Sequence, residues 1–217
     1  EQGHTSTDRA KKLRLPKRTV RALPRTLSRR EVGKLFAQPN ILDPLGLRNR
    51  AILELFYATG IRRMELVRLD IEDLDLTSAS IMIREGKGGK DRILPLASTT
   101  LRWVSAYLHR SRPKLAIDPK EKAAFISGYG SRFNINYLGN WMRRTMDQVG
   151  ITKEGSCHLL RHSCATHMLL IRPRLASSSW SEAANGLWAR RPRAVGGWSS
   201  LPESPPRTGT GRWRSPA

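Results

Sequence analysis

Arg62, Lys87, His158 and Arg161 are the side chains whose setting in this sequence suggests chemistry. Arg62 follows directly on Gly60-Ile61, just past an apolar helical pattern, so a glycine helix stop would leave its guanidinium near a ligand. Lys87 lies in Gly86-Lys87-Gly88-Gly89-Lys90, between two alternating apolar segments. His158 and Arg161 stand three apart in His-Leu-Leu-Arg-His, and positions three apart on a helix share a face. Two arginines can clamp the non-bridging oxygens of a phosphodiester in flight, the task a magnesium ion would otherwise perform. A lysine on a hairpin turn can give a proton to the leaving oxygen. Each feature alone is ordinary. A helical His-x-x-Arg arises often by chance, and the glycine-lysine run reads equally well as a solvated turn. It is not a P-loop, because Gly-Lys-Ser/Thr does not follow a four-residue spacer.

The elements that must position these groups are legible from local signals. Ser28 and Glu31 form a capping box, predicting a helix over 29–38. Pro44 and Gly46 are then expected to break the chain. Leu47, Ala51, Ile52, Leu55, Phe56 and Thr59 follow the helical period until Gly60. A short helix is expected over 64–69. Ile81 and Ile83, the glycine-rich turn, and Ile93, Leu94 and Leu96 predict a β-hairpin. Helices are expected over 98–110, 134–149 and 158–170. Helices, a small sheet and helices again make an α+β domain, mainly α, over 27–171.

The net charge is +21, and a chain this basic is most often a polyanion binder, with nucleic acid the commonest polyanion. Residues 1–26 are polar and basic, with Pro16 and Pro24, and read as a linker or DNA-contacting arm. Residues 1–10 lack the apolar stretch of a leader, and no apolar run is long enough to span a membrane. A cytoplasmic protein is expected. Cys157 and Cys164, if on one helix, lie roughly 10 Å apart, too far for a disulfide, so reduced thiols are expected. Residues 172–217 differ in kind: they hold four of the six tryptophans yet no lysine, isoleucine, phenylalanine or tyrosine.

Three segments together carry a specific resemblance. Residues 53–70 (LELFYATGIRRMELVRLD), 85–96 (EGKGGKDRILPL) and 156–170 (SCHLLRHSCATHMLL) closely resemble the tyrosine recombinases of the Xer and phage-integrase type, in order and spacing. Leu23-Pro24, Leu27-Ser28 and Glu31-Val32 resemble the usual entry into their catalytic domain. The resemblance implies that domain's fold, without its C-terminal helices. It implies site-specific breakage and rejoining of double-stranded DNA through a 3′-phosphotyrosyl link, with no metal or nucleotide cofactor. The implied partners are DNA and other recombinase protomers on it, with no membrane and no small-molecule substrate. By residue, Arg62 and Arg161 match the two catalytic arginines, Lys87 the hairpin lysine and His158 the box histidine. Glu65 matches an acidic position that orients Arg62. Arg63, Lys90 and Arg92 are expected as DNA-backbone contacts.

The match also departs from the family pattern. The family continues with Leu-Gly-His, Thr-Thr and the nucleophilic tyrosine, whereas the tyrosines here are Tyr57, Tyr107, Tyr129 and Tyr137, all upstream of His158. Residues 171–217 therefore read as out-of-frame translation, expected to be disordered, with a divergent tail as the alternative. Residues 1–22 are too short for the core-binding domain of full-length relatives, so only its linker is expected. Cleavage by this chain alone is expected to be absent, and exposed Leu and Met on the last helix to lower stability. The alternatives are a non-catalytic DNA-binding remnant and a protomer that receives its tyrosine from a complete partner. A type IB topoisomerase fits the segment around Arg62 less well. A zinc site from Cys157, His158, His162, Cys164 and His167 lacks a second element to complete a tetrahedron.

Overall fold

Ser28 starts the first helix as the capping box requires. Its hydroxyl accepts from the Glu31 N–H at 3.2 Å, and Glu31 accepts from the Ser28 N–H at 2.6 Å. Helix α1 (Arg29–Ala37) buries Val32, Leu35 and Phe36, one apolar stripe. The structure, a computed structural model, describes residues 25–84 and 89–171.

Helix α2 (Pro44–Thr59) is the axis of the domain. Pro44 and Gly46 do not break the chain here, contrary to the sequence reading. Pro44 is in the first turn, where its missing N–H costs nothing, and Asp43 caps the helix by accepting from the Gly46 N–H at 2.9 Å. Gly46 is required by close approach, since a Cβ there would lie 1.8 Å from the Asn40 carbonyl oxygen. From Ala51 to Ala58 every residue of α2 is buried. A helix apolar nearly all round belongs in a core, and α1 together with four helical segments described below pack around it.

Gly60 ends α2 in the left-handed region, φ 59°, its N–H donating to the Phe56 carbonyl at 3.0 Å. Helix α3 (Arg63–Arg68) follows. A three-stranded antiparallel sheet comes next: β1 (Leu74–Asp75), β2 (Ser80–Ile83) and β3 (Arg92–Pro95), in that order. Ile83 pairs with Arg92 and Ser80 with Pro95, the expected hairpin. β1, too short to carry a pattern, was not foreseen. Its Leu74 pairs with Ile81.

The helix expected over 98–110 is three segments: α4 (Ser98–Ala106), a π-helical turn (Tyr107–Ser111) and α5 (Arg112–Leu115). Helix α6 (Ile135–Gln148) starts at Asn134, whose side chain accepts from the Asn136 N–H at 2.8 Å. Helix α7 (Cys157–Ile171) packs on α2 and α6. Leu169 and Leu170 at its end are exposed, as expected, while Met168 is half-buried against the core. Both cysteines are free and buried. Among the described residues no helix is long and apolar enough to cross a membrane.

Candidate active site

The left-handed turn at Gly60 delivers Arg62 to the surface while Ile61 stays buried behind it. Arg62 is the residue before α3, and its backbone N–H donates to Glu65 Oε2 at 2.8 Å. Its guanidinium returns to the same carboxylate, Nη1 to Oε1 at 2.9 Å. Arg92, at the start of β3, reaches Glu65 from the other side with Nη1 to Oε1 at 3.0 Å and Nη2 to Oε2 at 2.7 Å. Four N–H groups thus converge on one buried carboxylate. Burial pushes the Glu65 carboxyl up, but the Arg92 guanidinium and the Arg62 backbone and side chain outweigh it and hold it at about 2.

Arg161, one turn into α7, closes the cluster by donating to the Gly60 carbonyl. A side chain at Gly60 would stand 3.8 Å from Arg161 Cγ and 3.6 Å from Cys164 Sγ, so α7 lies directly against the helix stop. Burial lowers the pKa of Arg161, and Arg62 and Arg92 add to that while Glu65 opposes it. Three guanidiniums around one carboxylate leave a net positive site. Arg62 keeps 40% of its side chain exposed and Arg92 33%, which suits a site that receives an anion from solvent.

His158 occupies the first turn of α7, exposed, on the same face as Arg161. Its ring meets that of His162 edge-on, centroids 6.1 Å apart. Burial lowers its pKa, with the charges of His162 and Arg63 adding to the effect. Both causes favour the neutral imidazole, the form able to accept a proton. Beside it runs an open groove of about 470 Å³, lined by Arg63, Asn136, Gly139, Asn140, Arg143, Gly155 and Ser156.

Residues 25–170 match the profile of the phage integrase family. The chain belongs to that family.

Among phage integrase relatives, tyrosine recombinase XerC 2 of Ralstonia nicotianae is 44% identical over 156 residues, covering 72% of this chain and 44% of the relative. The crystal structure of XerA recombinase superposes with a TM-score of 0.60 at 28% identity, covering 79% of this chain and 67% of that one. The pre-cleavage complex of XerH site-specific recombinase bound to difH substrate superposes at 0.56 with 25% identity, covering 82% and 54%. The mainly helical fold with a small antiparallel sheet is therefore the fold of tyrosine recombinase catalytic domains. The chain spans about half the length of the curated relatives it matches.

The phage integrase residues expected from sequence divide into groups. Arg62, Glu65 and Arg161 come together, and His158 lies beside them. Lys87 lies outside the described residues, as do 1–24 and 172–217. Lys90 is exposed in the connection just before β3. Arg63 reaches toward α6, its Nη1 2.5 Å from where a Cβ on Gly139 would sit. Arg92, expected as a DNA-backbone contact, is paired with Glu65 while a third of its side chain stays exposed. The period of β3 carried this signal, because Arg92 and Leu94 share the half-buried face while Ile93 and Pro95 face solvent. The rival zinc ligands are dispersed. The Cys157 thiol points at the Leu138 carbonyl, Cys164 lies against Met168, and His167 Nδ1 pairs with the Tyr57 hydroxyl at 2.8 Å. Burial pushes both thiols up to about 11.

Proposed function

We propose that this chain is the phosphate-clamping catalytic domain of a site-specific tyrosine recombinase that acts on double-stranded DNA together with other protomers. The supporting observation is the convergence of Arg62, Arg161 and Arg92 around the Gly60 turn and Glu65, a rigid cationic corner open to solvent. A scissile phosphate seated there would present its non-bridging oxygens to Arg62 and Arg161. Glu65 holds Arg62 in place, and Arg92 ties the hairpin to the same carboxylate. Lys87, carried by that hairpin, protonates the 5′ oxygen as it leaves. His158 assists the proton transfer or binds the phosphate. The domain acts in the bacterial cytoplasm, at the nucleoid.

The attacking group in such a reaction is a phenol, and no tyrosine follows His158 in the 217 residues. We therefore propose that the chain binds and clamps DNA but does not cut it alone. The assembled clamp favours a second reading, in which a complete protomer supplies its tyrosine in trans.

The test incubates the chain with nicked duplex that would trap a covalent intermediate, and measures duplex affinity in parallel at several salt concentrations. Expected are binding that weakens steeply with salt, an at least tenfold loss on Arg62→Ala with Arg161→Ala, and no covalent adduct. Lack of binding at low salt would sink the DNA reading, and an adduct on this chain would sink the claim that it cannot cut. For the trans reading, a donor with its tyrosine but without its own clamp arginines is added. If the donor stays free of DNA, that reading fails.

A further inference from the structure

We propose that Arg143 is a positioning residue for His158: it gathers the loop ahead of α7 by its main-chain carbonyls, so that Gly155 offers a bare α-carbon against which the imidazole rests. This deepens the functional reading above and rests on it.

By composition Arg143 is one more cation lining the groove beside His158. Its hydrogen bonds give it a different task. Nη1 donates to the Lys153 carbonyl at 2.6 Å and the Gly155 carbonyl at 3.3 Å, and Nη2 to the Ile151 carbonyl at 2.6 Å. Nε and Nη2 both donate to Asp147, one turn further along α6. Every nitrogen of the guanidinium is engaged, so no donor is left for a phosphate. Only a planar fork reaches three carbonyls and a carboxylate at once, which an ammonium cannot do. The loop it folds ends at Gly155, φ 121°, where a Cβ would stand 2.7 Å from His158 Nε2 and 3.0 Å from Cε1. The space a side chain at Gly155 would fill is taken by the imidazole and by Leu159 Cγ, 2.9 Å away, so the path of the loop at Gly155 bounds where the ring can lie. Burial, with His162 and Arg63, lowers the pKa of that imidazole.

The experiment follows the imidazole titration of His158 by NMR in the full chain without DNA, for wild type, Arg143→Ala, Arg143→Lys and Gly155→Ala. His167, buried against Tyr57 on the same helix, reports whether α7 is intact. In wild type His158 is expected to titrate below the ordinary value, about 6.5. In all three variants it is expected to move up toward that value, with His167 unchanged. Arg143→Lys separates geometry from charge: a lysine that keeps His158 at its wild-type value would overturn the proposal. So would an unmoved His158 in folded Arg143→Ala. Should that variant fail to fold, Arg143→Lys and Gly155→Ala decide. A loss of duplex affinity in Arg143→Ala with His158 unmoved would make Arg143 a DNA contact and overturn the inference. If wild type does not bind duplex at all, the functional reading falls, and the titration still decides the positioning.

Discussion

Two arginine–glutamate clusters sit on and just beyond α2, built from the same groups and doing opposite work. In the middle of the helix, Arg50 and Glu54 pair one turn apart with side-chain exposures of 7% and 0%. Arg50 also donates to the Phe36 carbonyl at 2.5 Å and lies between the rings of Phe36 and Trp103, 5.0 and 4.5 Å from their centroids. Past the Gly60 stop, Glu65 is nearly as buried, but its two arginines keep a third or more of their side chains at the surface. The first cluster is closed and spends its charge on itself. The second has a surplus of cations facing outward. Burial of the acid is common to both, so what separates a core ion pair from an anion site is whether the arginines are enclosed.

The sharpest way to break this comparison is to remove each acid in turn. Glu54→Gln leaves the Arg50 charge buried and uncompensated, with an expected cost of about 3–5 kcal/mol in urea unfolding. Replacing both partners with apolar residues of similar volume should recover most of that, because the desolvation penalty goes with the charges. A Glu54→Gln cost under about 1 kcal/mol would mean the closed cluster is not closed.

Glu65→Gln is expected to cost less, about 2 kcal/mol, since its arginines can turn to water. Its signature is in the pH dependence. A carboxyl held at about 2 against an ordinary 4.5 contributes stability that is fully present above the ordinary value and is lost as pH falls toward 2. Wild type should therefore lose stability through this window, and Glu65→Gln should lose less over the same range. Parallel acid limbs for the two proteins would show that the four N–H donors do not hold the carboxylate as described.

Next in size is the turn that connects the clusters. Gly60→Ala has room, with 3.6 Å to Cys164 Sγ, so its cost is backbone strain at φ 59° alone, about 1–2 kcal/mol. Because Arg161 bonds the Gly60 carbonyl, duplex affinity should fall as well. Stability lost with affinity unchanged would separate the helix stop from the clamp.

Which of these features could be read without a structure follows from how local their causes are. The capping box at Ser28, the glycine stop and the hairpin each lie within a few residues, and all stand where the sequence put them. Pro44 and Gly46 misled because the same residue types serve as breakers and as first-turn residues, and only Asp43 as cap and Asn40 as neighbour decide which. The pairing of Arg92 with Glu65 was not legible because the partners are 27 positions apart. Arg143 escaped notice entirely, since carbonyls leave no trace in side-chain type. Arg62, Glu65, His158 and Arg161 were singled out together only by family resemblance, and the structure brings Arg62, Glu65 and Arg161 to one corner.

The smallest expected effect separates two neighbouring charges, Lys153 and Glu154, that both tie the chain entry to the loop before α7. Lys153 Nζ donates to the Thr26 carbonyl at 2.9 Å and to Glu31 at 2.7 Å, each side chain about a third exposed or less. Glu31 is also the acid of the capping box, and its carboxyl stays below the ordinary value although burial pushes it up, with Lys153 the largest opposing cause. Glu154 faces Arg25 at 3.8 Å with side-chain exposures of 91% and 69%. Lys153→Ala should therefore cost about 1–2 kcal/mol, because it strips a charged donor from a carbonyl and a cap at once. Glu154→Ala should change stability by less than about 0.5 kcal/mol, and added salt should shrink even that. Equal losses from the two would mean that enclosure does not decide what an ion pair is worth here, and the contrast between the two arginine clusters would fall with it.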